Sequence, residues 1–203
     1  MSTEKQLFVE IDNHLLNDEA PSEYLEQLFV DKRVHCYPFD LLFKLKQTEQ
    51  SPQHHPEGSV WNHTLLVVDE AAKTKDKCND KRVFMWAALL HDIGKPDTTR
   101  IRKGKITSYD HDKVGSKLAG EFLSQLTDDH RFIEAVVALV RWHMQILFVA
   151  KDLTLADVKT MKQQVDIKEI ALLGLCDRLG RLNANRFQEE ENIKMFLQKC
   201  ECK

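Results

Sequence analysis

Glycine and proline are scarce in this chain, seven and five in 203 residues, and their scarcity removes the punctuation that a fold of many short strands would need. Cysteine is present but unpatterned. The five, at positions 36, 78, 176, 200 and 202, are odd in number and lack paired C-x-x-C spacing, so neither a disulfide framework nor a zinc knuckle is indicated and free thiols are expected. No uncharged apolar run approaches the length of a bilayer, and Met1-Ser-Thr-Glu-Lys5 lacks the apolar core of a secretory signal. A cytoplasmic protein without a membrane partner is therefore expected. An excess of one charge is missing too: a net charge of −3 and a pI near 6.3 give no general attraction to nucleic acid or anionic lipid. A phosphate-bearing partner would have to be held by a local site, and bulk charge favours a small substrate over RNA.

What is present is a chain 42% hydrophobic with apolar residues at helical spacing nearly throughout, which reads as all-α. The length suits one core domain, expected at 51–203, with an N-terminal helical extension at 1–50 packing on it. In the extension, Leu7, Phe8, Ile11, Leu15 and Leu16 form one stripe, Pro21 opens a second helix through Phe29, and a third is expected from about Pro38 to Lys46. A polar loop, 47–58, leads into helical patterns at about 59–74, 81–92, 110–126, 129–146, 154–164, 167–181 and 184–199. Between the second and third of these, Lys103-Gly104-Lys105 can turn a short β-hairpin within 99–109. The last helix reads as a packing element through which a dimer could form; no oligomeric state is selected.

Chemistry enters through polar residues placed on apolar helices. His63 shares its helix face with Val60 and Val67, so its ring points inward. His91-Asp92 closes the apolar run Val83-Phe-Met-Trp-Ala-Ala-Leu-Leu90, Asp177 follows Ile170-Ala-Leu-Leu-Gly-Leu-Cys176, and His143 has Leu139, Val140 and Leu147 on its own face. A single inward histidine is more often a satisfied core residue, and a helix-end aspartate is often only a cap. Several together in one core are different, because buried carboxylates need compensating charge, and a divalent cation held by imidazole nitrogen and carboxylate oxygen supplies it.

The order His63, His91-Asp92, Asp177 resembles the H…HD…D signature of the HD-domain phosphohydrolase superfamily. That resemblance implies an all-helical bundle binding one or two divalent ions, with Asp92 bridging them where two are held. His111, in Tyr109-Asp-His-Asp-Lys-Val-Gly115, and His143, in Arg141-Trp-His-Met144, resemble the extra ligands of two-metal members. Over about residues 54–182 the chain further resembles the HD domain appended to bacterial-type CCA-adding tRNA nucleotidyltransferases. The matching strings are His55-Pro-Glu-Gly-Ser-Val-Trp-Asn-His63-Thr-Leu65, His91-Asp-Ile-Gly-Lys-Pro96, Asp110-His-Asp-Lys-Val-Gly115 and Cys176-Asp-Arg-Leu-Gly-Arg181. The polymerase half of that family has a Gly-Ser loop followed by paired aspartates on strands. Here Gly58-Ser59 and Gly115-Ser116 lead into helices instead, so the chain reads as a free-standing HD domain without CCA addition.

The implied activity is metal-dependent hydrolysis of a phosphomonoester or phosphodiester, with a nucleotide such as a 2′,3′-cyclic nucleotide as substrate. Asp92 and Lys95 would be catalytic, the lysine offsetting charge on the phosphoryl group. His55, Glu57 and Arg181 are candidates for substrate contact. The ion could be manganese, iron, cobalt, nickel, zinc or magnesium. The alternative is a non-catalytic tRNA- or nucleotide-binding module with a structural metal. Its support is the basic run Arg100, Arg102, Lys103 and Lys105, for which a solvated hairpin tip is the plainer reading because no aromatic ladder accompanies it. His14, His35, His54 and His130 have no supporting constellation.

Overall fold

The computed structural model describes residues 2–202 and is built almost wholly from helices. At its centre lies α5 (Lys81–Leu90), started by the Asp80 carboxylate, which accepts from the amides of Arg82 and Val83. Every residue from Val83 to Leu90 is buried, as a helix apolar on all sides requires. Around it pack α4 (Val60–Ala72), α8 (His130–Trp142) and α11 (Ile167–Leu179). Two outer helices complete the bundle: α7 (His111–Ser124) against α8, and α12 (Arg186–Glu201) against α11 and α9 (Gln145–Ala150). The short α10 (Val158–Gln164) begins at an Asp157 cap.

The N-terminal stripe forms as expected. In α1 (Thr3–Asn17), Leu7, Phe8, Ile11 and Leu15 are buried, and α1 packs on α5 with the Phe8 and Trp86 rings 4.8 Å apart. α2 (Ser22–Gln27) and α3 (Asp40–Lys46) lie on α4. The helix expected through Phe29 tightens into 3₁₀ turns at Leu28–Val30 and Lys32–His35, where Asp31 caps by accepting from the Arg33 amide. The loop after α3 folds back through an antiparallel bridge between Glu49 and Ser59, which also caps α4.

Between α5 and α7 stand a single helical turn, α6 (Lys95–Thr98), which periodicity did not indicate, and the hairpin of β1 (Thr99–Arg102) and β2 (Lys105–Ser108). Its antiparallel register pairs Thr99 with Ser108, Arg100 with Thr107, Ile101 with Ile106 and Arg102 with Lys105. Lys103 and Gly104 both have positive φ, 49° and 73°, as a two-residue turn matched to strand twist requires.

The pattern at 129–146 is two helices rather than one. The break falls at His143, whose ring Nδ1 takes the Val140 carbonyl that a following amide would otherwise bond, and the chain restarts with amides donating to the Met144 carbonyl. By length and hydropathy the stretch His130–Ala150 could cross a bilayer, although Arg131, Glu134 and Arg141 interrupt it; in the fold it supplies core side chains and His143.

Candidate metal centre

Three histidines are presented by the same local device. His91 follows the last residue of α5, His143 follows the last residue of α8, and His111 opens α7. Each donates Nδ1–H to the carbonyl three residues earlier: His91 to Ala88 at 2.8 Å, His143 to Val140 at 2.7 Å and His111 to Ser108 at 2.7 Å. At the C-terminal ends of α5 and α8 those carbonyls lack an intrahelical partner, so the ring satisfies the helix while the helix fixes the ring. The carbonyl also fixes the tautomer, leaving the Nε2 lone pair of each ring directed away from the backbone.

Those lone pairs converge on Asp92, only 2% exposed. Its Oδ2 lies 3.2 Å from His91 Nε2 and 3.9 Å from His63 Nε2, while its Oδ1 lies 3.4 Å from His111 Nε2 and 3.9 Å from His143 Nε2. The ligand atoms of His63, His91 and Asp92 all fall within 4.8 Å of one another, and those of Asp92, His111 and His143 do likewise. The two sets share the aspartate. Lys95 Nζ is 2.7 Å from Asp92 Oδ2 and donates to Gln50 Oε1, which holds this buried ammonium against the carboxylate.

His63 is oriented from behind. Its Nδ1 lies 3.0 Å from Glu57 Oε1 and 3.3 Å from the Gly180 carbonyl, and its Nε2 lies 3.0 Å from Asp177 Oδ1 at the partly exposed rim. Glu57 Oε1 also accepts from His55 Nδ1 at 2.8 Å. Arg181 reaches toward Asp177, with 3.7 Å between its guanidinium and Oδ1.

Burial and charge set the ionisation states. Burial opposes the charge of Asp92 and Asp177, but the pull of neighbouring groups prevails, His91 and Lys95 for the first and Arg181 and His63 for the second, holding both well below the usual carboxylate range. Burial pushes His143 down to about 3, aided by His111 and His91. It lowers His111 against the pull of Asp92, and lowers His55 to about 4 with the help of Lys95. For His63 burial also lowers, but the carboxylates of Asp177 and Glu57 outweigh it and raise the ring. Glu57 itself falls to about 2, the hydrogen bonds from His63, from its own backbone amide and from His55 overcoming burial.

The donor set fits a divalent cation. Among the described residues, His91 Nε2 and Asp92 Oδ2 are buried without a well-formed hydrogen bond, Lys95 approaching the latter off the bonding direction. His111 Nε2 and His143 Nε2 face each other at 3.2 Å although both rings already spend their proton on a carbonyl, an opposition of lone pairs that a cation between them and Asp92 would relieve.

The six histidines and aspartates expected as metal ligands are therefore gathered at one centre. Lys95 joins them, Arg181 sits at the rim, and Glu57 with His55 lies behind His63. Sequence reading missed Gln50, whose place beside Lys95 depends on a contact 45 residues apart in sequence. It also missed the ion pair of Asp112 and Arg141, 2.5 Å, which clamps α7 to α8 where His111 and His143 arise. The signal was there: an acid directly follows one histidine and a base stands two residues before the other.

A fold of this kind around clustered histidine and aspartate defines an HD-domain protein, and the chain belongs to that family: the HD domain profile matches residues 60–180. All six clustered residues fall inside the match, and His55, Glu57 and Arg181 fall just outside it. Among curated proteins the chain is 32% identical over 105 residues to the multifunctional CCA protein of Actinobacillus pleuropneumoniae serotype 5b, covering 52% of this chain and 24% of that one. With the multifunctional CCA protein of Methylococcus capsulatus it shares 24% over 194 residues, 92% of this chain and 38% of the relative. That of Aromatoleum aromaticum is 49% identical over 49 residues, 24% of this chain and 11% of the relative. The chain thus spans well under half the length of these relatives.

Proposed function

We propose that the chain is a metal-dependent phosphohydrolase acting on a small phosphorylated substrate, a nucleotide and in particular a 2′,3′-cyclic nucleotide. The observation that carries this reading is the convergence of four imidazole Nε2 atoms on the buried Asp92, with two overlapping ligand sets that meet at that carboxylate. His63, His91, Asp92 and Asp177 would hold one ion, and Asp92, His111 and His143 a second. A divalent ion there would supply Lewis acidity toward water and phosphoryl oxygen.

The chain's own residues do the rest. Asp92 keeps the charge that anchors the site, and Lys95, fixed by Gln50, places a positive charge where negative charge grows on the phosphoryl oxygens. Arg181 at the rim and the neutral His55 would meet the remainder of the substrate. In hydrolysis the water oxygen bonds to phosphorus as the ester P–O bond breaks in line, and the proton lost by water ends on the departing oxygen. In keeping with five free cysteines, the proposed setting is the cytoplasm.

The test is turnover of 2′,3′-cyclic AMP, a generic phosphodiester and nucleoside monophosphates by metal-stripped protein, with manganese, nickel, cobalt, zinc or magnesium restored singly. Turnover should require metal and fall at least about a hundredfold in Asp92→Ala. If ions bind stoichiometrically and none of these substrates is hydrolysed, the reading gives way to a nucleotide- or tRNA-binding module with a structural metal, which the cationic hairpin favours.

A further inference from the structure

The hairpin between α6 and α7 sorts its side chains by face. Directly paired residues of an antiparallel ladder share a face, so Arg100, Arg102, Lys105 and Thr107 lie on one side and Thr99, Ile101, Ile106 and Ser108 on the other. Lys103 adds a fourth cation at the turn, and no acidic residue occurs from Thr98 to Tyr109. Among the described residues none of these four cations has a carboxylate within ion-pairing distance, and Arg102 stands directly opposite Lys105. Like charges paired across a ladder destabilise it, and a chain of net charge −3 has acids to spare for neutralising them. The cations are left facing solvent.

The stem of the same hairpin is bonded into the metal centre. Thr99 Oγ1 donates to the Lys95 carbonyl at 2.7 Å, the Ser108 carbonyl accepts from His111 Nδ1 at 2.7 Å, and the two stem hydroxyls bond each other at 2.7 Å. At the foot of β2 Tyr109 is 60% exposed, with the Arg102 guanidinium 4.9 Å from its ring centroid. A cationic face, an aromatic platform and the ligand shell are thus consecutive along one short element.

We infer that this face grips the phosphate backbone of a single-stranded RNA, with a base against Tyr109, and delivers its phosphate-bearing end to the metal centre. The binding stands on the hairpin alone; what happens to the RNA end rests on the phosphohydrolase reading. An anionic membrane is the less suited partner, because the tip is Lys103-Gly104-Lys105 and only Ile101 offers a large exposed apolar side chain on the strands.

The experiment is fluorescence anisotropy of a labelled unstructured RNA oligomer with a 3′-phosphate, titrated with Asp92→Ala protein so that the probe survives. The same background would carry either Arg100→Gln/Arg102→Gln/Lys105→Gln or a control triple, Lys151→Gln/Lys159→Gln/Lys168→Gln, of equal charge change. The hairpin triple should bind at least tenfold more weakly and flatten the dependence of log affinity on log salt by about 2, while the control matches its parent. Placed in the wild-type background, the hairpin triple should hydrolyse 2′,3′-cyclic AMP at the unaltered rate. Equal RNA binding by both triples, or hairpin-dependent binding to phosphatidylserine vesicles without RNA binding, overturns the proposal. Because anisotropy reads binding alone, an absence of turnover in wild-type protein would count against the phosphohydrolase and leave this result intact.

Discussion

Glu57 shows how a residue outside the cluster can decide what the cluster does. Its Oε1 receives both His55 and His63, and the second of these bonds leaves His63 Nε2 as the ring's ligand atom. Carboxylates behind metal-binding imidazoles commonly tune affinity by about ten- to a hundredfold. Glu57→Ala should therefore weaken manganese or zinc binding by roughly that factor in isothermal titration calorimetry. Glu57→Gln should recover most of the loss, since an amide oxygen can still accept from Nδ1. Equal losses in the two variants would mean that charge, not orientation, is what Glu57 contributes. At this scale the inner residues were legible in the sequence because apolar neighbours forced His63, His91, Asp92, His143 and Asp177 inward. Gln50 and the bonding of Glu57 to His63 were not, because a polar loop carries no periodicity to say which of its side chains folds back.

Helix ends, rather than helix faces, present three of the four imidazoles, and this is why the boundaries matter more than the helices. Periodicity located α4, α5, α7, α8, α11 and α12 but ran α8 through His143 and did not mark α6. The reason is physical: Leu139, Val140, Ile146 and Leu147 keep a helical rhythm across the break, while the His143 ring and the Val140 carbonyl that end the helix leave no trace in hydropathy. The centre also depends on two elements approaching closely. A Cβ on Gly94 would lie 2.3 Å from the His111 carbonyl oxygen and 2.5 Å from the Gly115 amide nitrogen, both backbone atoms that cannot rotate away. Gly94→Ala should push the start of α7 off the turn that follows Asp92, lowering stability by about 1–3 kcal/mol or more. It should weaken binding at His111 and His143 before binding at His63 and His91. Thermal melts together with metal stoichiometry test this, and an unaltered melting temperature with full occupancy would show that α7 can shift without consequence.

Taken as a whole, the molecule joins its first fifty residues to the HD core by more than apolar contact, although the family match begins only at residue 60. Asp12 accepts from Trp86 Nε1 at 2.7 Å and from Arg82 Nε at 2.8 Å, and Lys75 donates to the carbonyls of Leu15 and Asp18. Asp69 accepts from the amide and hydroxyl of Ser22, and Gln50 holds Lys95. We propose that 1–50 is an extension of the core's own packing rather than a separable domain. Leu7, Phe8, Ile11, Leu15, Leu25 and Leu28 are each at least 96% buried, and at about 1.5–3 kcal/mol for each such side chain their joint removal rivals the whole stability of a typical domain, about 5–15 kcal/mol. A fragment of residues 51–203 should therefore lose near-ultraviolet circular dichroism, bind a hydrophobic dye and unfold without a cooperative transition, and should bind metal weakly because its core packing is loosened and Lys95 has lost its bond to Gln50. Phe8→Ala in the full chain should show the milder form, a loss of about 3–5 kcal/mol with metal stoichiometry intact, because the Trp86 contact it removes is remote from the ligands. A fragment that melts as cooperatively as the full chain would instead make 51–203 the complete folding unit and reduce the N-terminal helices to a cover.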